Sequence, residues 1–194
     1  MDDILALVKK TRSVRRFDGA RALTEADLRG LVELARLSPC AGNKQVLRFR
    51  LVHGADACAA VFPALGWAGY LKDWDGPEPA ERPTGYIVIL RDTRSPFPAD
   101  EGIAAQSIFL GAAARGLAGC FIGCVDRPAL ARALGFTADP ALAPYEIALV
   151  IALGYPQENV VIEEMRPGDT DIKYWRDAQG GHHVPKRALD DLLL

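Results

Sequence analysis

The sequence predicts an α+β fold, with helices layered against a sheet. Two stretches, Tyr86-Ile-Val-Ile-Leu90 and Ile147–Leu153, are almost wholly apolar. Apolar runs of that length read as strands buried on both faces. Segments with helical spacing surround them, and strands and helices do not alternate strictly, which disfavours a doubly wound sheet. No G-x-G-x-x-G follows a first strand, so a Rossmann dinucleotide site has no support. A chain of 194 residues suits one domain, 1–194, with a substantial core.

The elements follow in order. Asp2 to Lys10 places Ile4, Leu5 and Val8 on one helical face. Thr24 with Asp27 approximates a capping box, opening a helix whose Leu28, Leu31, Val32 and Ala35 recur at helical spacing up to Ser38-Pro39. Leu47 to Val52 alternates as a half-buried strand. A short helix is expected around Ala57 to Leu65, and then an aromatic, Gly- and Pro-rich excursion over about 66–83. Asp100 is read as the cap of a helix running to about Ala114, closed by Gly116. That helix is small and apolar all round, so the core or a partner subunit must bury it. Cys120 to Val125 reads as a strand and Pro128 to Leu134 as a short helix. The tail, 157–194, reads as extended pieces at Val160–Glu163 and Ile172–Trp175 and a last helix from Pro185. It has too few apolar residues for its own core and must pack on another surface.

Composition excludes several classes. The formal net charge is −2, which points to no nucleic-acid or membrane partner. The longest apolar run falls far short of the roughly 20 residues that span a bilayer. The first ten residues lack the basic and apolar regions of a signal peptide, so a cytoplasmic location is expected. Cys40, Cys58, Cys120 and Cys124 form no C-x-x-C pair and read as free thiols. His182-His183 has no third ligand in view, and no metal is expected.

The segment KTRSVRRF, 10–17, packs four cations into eight residues of a weakly acidic chain. One reading is a solvated helix end, with cations set favourably against the macrodipole. The other is an anion site, where Arg12 and Arg15 present guanidinium forks and Ser13 adds a hydroxyl donor. Residues alone leave both open.

TRSVRRF, LVELARLSPCAGNKQVLRFRLV, ARGLAGCFIGCV, IALVIALGYPQE and VPKRALDDLL, taken in order, resemble the successive blocks of the nitroreductase-like FMN-dependent oxidoreductases, in a compact branch. The resemblance covers nearly the whole chain. It implies a mixed central sheet flanked by helices in an intertwined homodimer, with two interfacial flavin sites each built from both chains. The tail, 157–194, would then pack on the partner subunit.

By the same resemblance, Arg12, Ser13 and Arg15 would hold the phosphate of non-covalent FMN, with Lys186 and Arg187 reaching it from the end of the chain. Pro39, Cys40, Asn43 and Gln45 match the segment that contacts the ring and ribityl chain. Ile122 and Gly123 would bring backbone N–H groups to the flavin N5 side, so no side chain is expected to be catalytic in its own right. Trp67, Tyr70 and Trp74 either form a substrate lid or staple the loop down. Thr11, Cys40 and Val46-Leu47 depart from the family pattern, and the loss of a hydroxyl at Cys40 weakens that contact.

The implied activity is NADH- or NADPH-driven reduction of a small electron-poor acceptor such as a nitroaromatic or quinone, in a ping-pong cycle. The alternatives are a reductive dehalogenase or dehydrogenase, or a non-catalytic FMN- or phosphate-ligand-binding or storage protein.

Overall fold

A computed structural model describes residues 2–94 and 97–194. Helices α1 (Asp2–Lys10), α2 (Glu25–Arg36), α3 (Ala55–Val61), α4 (Pro98–Ala114) and α5 (Arg127–Ala133) surround strands β1 (Leu47–His53), β2 (Gly85–Asp92), β3 (Ala118–Ile122) and β4 (Tyr145–Gly154). The four strands form one sheet in the order β1-β2-β4-β3, with every ladder antiparallel. On the β3 edge, Ser13 adds a parallel bridge to Gly119, so the sheet is mixed where the basic turn meets it.

Side-chain alternation along the central strands divides the core in two. Ile87, Ile89, Ile151 and Leu153 face α2 and α4, packing with Leu28, Leu31, Ile108 and Ala112. Tyr86, Val88, Leu90, Val150 and Ala152 face α3 and α5, packing with Cys58, Val61 and Leu130. A register shift puts Ile89 opposite Leu149 but Leu90 opposite Ile147. The extra residue, Ala148, flips the parity of β4, so Ile147 and Val150 share a face despite their odd spacing. Burial on both faces is why β2 and β4 carry no polar alternation.

Local signals explain the helix ends. Thr24 Oγ1 accepts the Asp27 N–H at 3.2 Å while the Thr24 N–H donates to Asp27 Oδ2 at 2.9 Å, a complete capping box. Helix α4 begins at Pro98, not at Asp100, because proline is preorganised for the first turn and needs no N–H partner there. Its small residues Ala104, Ala105, Ala112 and Ala113 are buried by this chain's own core. Gly116, at φ +75°, ends it in the left-handed conformation. Strand β3 starts and stops earlier than the expected Cys120–Val125, and Val125 instead forms an isolated bridge to Leu65.

The tail departs most from expectation. Strands β5 (Val160–Glu164), β6 (Trp175–Arg176) and β7 (His182–Lys186) form a second sheet in the order β5-β7-β6. No helix starts at Pro185, which lies inside β7 opposite Glu163. Strand β6 pairs only with His182 and His183, so the missing N–H of Pro185 leaves no ladder bond unmade on that side. Beyond it, Leu189–Leu192 makes a single 3-10 turn.

Gly119 marks the tightest join. The Val14 N–H donates to Gly119 O at 2.8 Å, docking the basic turn on the sheet edge. A Cβ at Gly119 would stand 2.8 Å from the Phe109 ring and closer still to Ala152 O. Gly119→Ala is therefore expected to destabilise the fold by about 1–3 kcal/mol, the cost of forced overpacking, as read from urea denaturation midpoints.

Candidate active site

The basic turn leaves the end of α1 as a non-helical segment pinned by Ser13 to Gly119 and by Phe17 to Pro156. This divides its cations. Arg15 enters a cavity of about 260 Å³ that it shares with Gly66, Trp67, Ala68, Cys120, Ile122, Gly123 and Tyr174. Arg12 instead lies near Lys186 at the end of β7. Burial lowers the pKa of both groups, and Arg12 lowers that of Lys186 further. A half-buried Arg12 and an exposed Lys186 near each other, with no ion pair on either among the described residues, are an arrangement that can take up negative charge.

Arg15 is only 9% exposed. Its guanidinium Nη1 donates to His182 Nε2 at 3.3 Å, and its Cζ lies 4.9 Å from the Tyr174 ring centroid. Glu158 is close, but its oxygens are spent elsewhere. Oε2 accepts the Arg15 backbone N–H at 2.8 Å, and Oε1 takes Arg176 Nη2 at 2.6 Å. Among the described residues no carboxylate forms an ion pair with the Arg15 guanidinium. Burying a charge without a counter-charge is costly, so an ion in that position points to an anionic occupant.

His182 is fully buried, and burial lowers its pKa. Because Nε2 accepts from Arg15, the ring proton sits on Nδ1, which has no partner. Burial also pushes up the Cys120 thiol, which lies in contact with Arg15 and Ser13.

The loop beyond β3 meets the 66–83 excursion here. The Gly66 N–H donates to Cys124 O at 2.8 Å, and a Cβ on Gly66 would strike Cys124 Sγ. Trp67 stacks on Phe62 at 5.6 Å and lines the cavity with a buried indole N–H that finds no acceptor. Trp74 packs against the guanidinium groups of Arg16 and Arg176, at 6.0 and 4.2 Å. Tyr70 is half exposed, its ring 4.9 Å from that of Tyr174 and its N–H bonded to the Tyr174 hydroxyl at 3.3 Å. Trp67 and Trp74 thus staple the loop down, and Tyr70 is the aromatic left facing solvent.

Pro39, Cys40 and Gln45 stand apart from this cavity. They line another, of about 550 Å³, between α2 and β1. Asp100, almost wholly buried, joins them there; its Oδ1 accepts the Ala41 N–H at 2.9 Å and its Oδ2 has no partner. Asn43 and Gln45 adopt φ of +52° and +51°, and Ala68 in the first cavity +37°; these are the only non-glycine residues with positive φ among those described. Strain of this kind persists where the surroundings impose it and gathers at binding sites. Arg187 is exposed and donates to Asp169 O at 3.5 Å.

Sequence reasoning missed Tyr174, His182, Glu158 and Arg176. The adjacent histidines do point apart, as neighbours on a strand must. His183 lies between Glu163 and Asp177, at 2.8 and 3.0 Å, with Trp175 stacked on it at 4.1 Å.

The fold and this constellation define an α+β protein with a cationic cleft at a sheet edge. The chain belongs to the nitroreductase family, whose model matches residues 8–74 and 89–155. Among solved structures it is similar to a Desulfovibrio desulfuricans nitroreductase in complex with FMN, with 22% identity, 98% of this chain and 95% of that one covered, and a TM-score of 0.67. It is similar also to a Bacteroides fragilis nitroreductase with bound FMN, at 19% identity, 89% and 98% coverage and a TM-score of 0.64. An FMN-dependent nitroreductase from Clostridium difficile gives 19% identity, 86% and 92% coverage and a TM-score of 0.62. No curated protein matches. No helix among the described residues is long and apolar enough to cross a membrane.

The clamp on His183 carries a pH signature. Its hydrogen bond to Asp177 is the larger cause that raises its pKa above the ordinary 6.5, with Glu163 adding to it. The charged ring ties β7 to β5 and to the turn before β7. That stabilisation is complete below pH 6.5 and is lost as pH rises through the raised value. The melting temperature of the native protein should exceed that of His183→Gln in weak acid, and the gap should close as pH rises past neutrality. A gap constant with pH would rule the clamp out.

Proposed function

We propose that this protein is an FMN-dependent oxidoreductase. The observation that carries the reading is the buried Arg15 guanidinium without a carboxylate, in a cavity ringed by Ile122, Gly123 and Trp67. FMN, when bound, supplies a two-electron carrier between NADH or NADPH and a small electron-poor acceptor such as a nitroaromatic or a quinone. Arg12, Ser13 and Lys186 hold the phosphate, and Arg15 supplies positive charge from inside the cavity. His182, neutral and accepting from Nη1, fixes the orientation of Arg15. Ile122 and Gly123 offer backbone groups, and nothing stands within 4 Å of where a Gly123 Cβ would be, so a ligand can approach closely.

The site is completed by a second copy of the chain. Pro39, Cys40, Asn43 and Gln45 share no cavity with Arg15 in one chain, which suits a segment presented to the partner's flavin. Helix α1 supports the same reading, because Ile4, Leu5 and Val8 are 70, 53 and 41% exposed along one face. The tail folds back on this chain's own basic turn through Glu158, Tyr174 and His182, which brings Lys186 to the phosphate. Tyr70 and the 66–83 loop border the face that donor and acceptor use in turn.

The visible absorption spectrum of the purified protein, before and after anaerobic NADH, tests the reading. A flavin spectrum that bleaches is expected; a protein that stays colourless with added FMN would sink it. Arg15→Met separates the roles of the charge. The flavin-free variant should be as stable as the native protein or about 1–2 kcal/mol more so, since an uncompensated buried charge is removed. Its FMN affinity should fall about tenfold to hundredfold, the worth of a charge-assisted contact.

A further inference from the structure

A separate cleft of about 250 Å³ shares no lining residue with either cavity described above. Its mouth runs along Gly54, Ala55 and Ala59, and its floor is Cys58, Pro83 and Tyr86. Two polar groups there are unmet. The Tyr86 hydroxyl belongs to a residue with no exposed surface and has no hydrogen-bond partner. Arg82 Nε is buried and equally without one. The Arg82 guanidinium lies 3.9 Å from the Phe62 ring centroid, which holds it in place without neutralising it. No ion pair forms on Arg82 among the described residues.

The chemistry of the cleft narrows its ligand. Burial pushes the Tyr86 phenol upward, so it stays protonated and donates. The Cys58 thiol, pushed up to about 11, is no nucleophile at neutral pH, so the ligand is held without a covalent bond. The floor therefore offers two N–H or O–H donors and a single positive charge. Ala22, Ala55, Ala59, Pro79 and Pro83 make most of the remaining wall apolar, and the one other hydroxyl, that of Thr84, already donates to Arg21 O at 3.0 Å. A phosphate dianion would leave half its charge unmatched, and a neutral hydrocarbon would leave both donors buried and unpaired. We infer that this cleft binds a small monocarboxylate, its two oxygens on Arg82 Nε–H and the Tyr86 hydroxyl and its hydrocarbon end against the alanines and prolines.

Isothermal titration of the full chain with sodium acetate, butyrate and benzoate, against sodium chloride at equal ionic strength, tests this. Saturable binding is expected, tighter for butyrate than for acetate. Arg82→Gln and Tyr86→Phe should each weaken it about tenfold or more, as the loss of one charge-assisted or buried hydrogen bond does. Both variants should melt no lower than the native protein, since each removes a buried unpaired group, and bind FMN as the native protein does, which separates this cleft from the Arg15 cavity. Three results would overturn the assignment: no saturable heat, binding unchanged in both variants, or butyrate displaced by FMN. The last would place the carboxylate in the Arg15 cavity instead.

Discussion

Glu158 decides the character of the site. Its carboxylate is wholly excluded from solvent and stands one residue beyond the Phe17–Pro156 and Arg16–Gln157 contacts that close the basic turn. One oxygen takes the Arg15 amide and the other takes Arg176, so a single buried anion joins the turn to the tail sheet. Because its charge is matched by Arg176, Arg15 keeps its own. The division leaves a carboxylate near enough to hold the backbone, already satisfied, and a guanidinium with no ion pair among the described residues.

The rest of the molecule makes that division affordable. Two apolar layers cover both faces of the central sheet, and the strands between them are excluded from water over most of their length. Their stabilisation supports unfavourable features at the periphery. Asn43, Gln45 and Ala68 keep strained backbones, and Asp100 keeps a buried carboxylate oxygen without a partner. Each feature lies on a loop or at an element end that the layers position but do not need for their own packing.

What was legible in the sequence was what acts over a few residues. The Thr24 capping box, the apolar strands and the left-handed Gly116 were readable because each signal and its effect lie within one turn or one strand. Lys186 and Arg12, far apart in sequence, lie close enough for one charge to act on the other. The tail strand was misread, since Pro185 looks like a helix start until the one-sided pairing of β7 is known. Tyr174, His182 and Glu158 gave no signal at all. Their contacts with Arg15 are made across the chain, and no periodicity or spacing marks a histidine that faces an arginine from the other terminus. The aromatic loop was half legible: its composition left a lid and a staple both open, and its two tryptophans make packing contacts of the second kind.

The hydrogen bonds that build the Arg15 environment join residues 143 and 167 positions apart. Contacts of such separation pay their loop-closure entropy late, after the compact sheet and its helices have formed. The geometry around Arg15 thus rests on contacts that the central sheet does not need for its own folding. Release of the tail sheet alone would disperse Tyr174, His182 and Lys186 while both apolar layers stayed folded. The chain carries, in effect, two stabilities: a global one set by the central sheet, and a smaller local one, set by a few residues near its end, that determines how much of the folded protein is competent to bind.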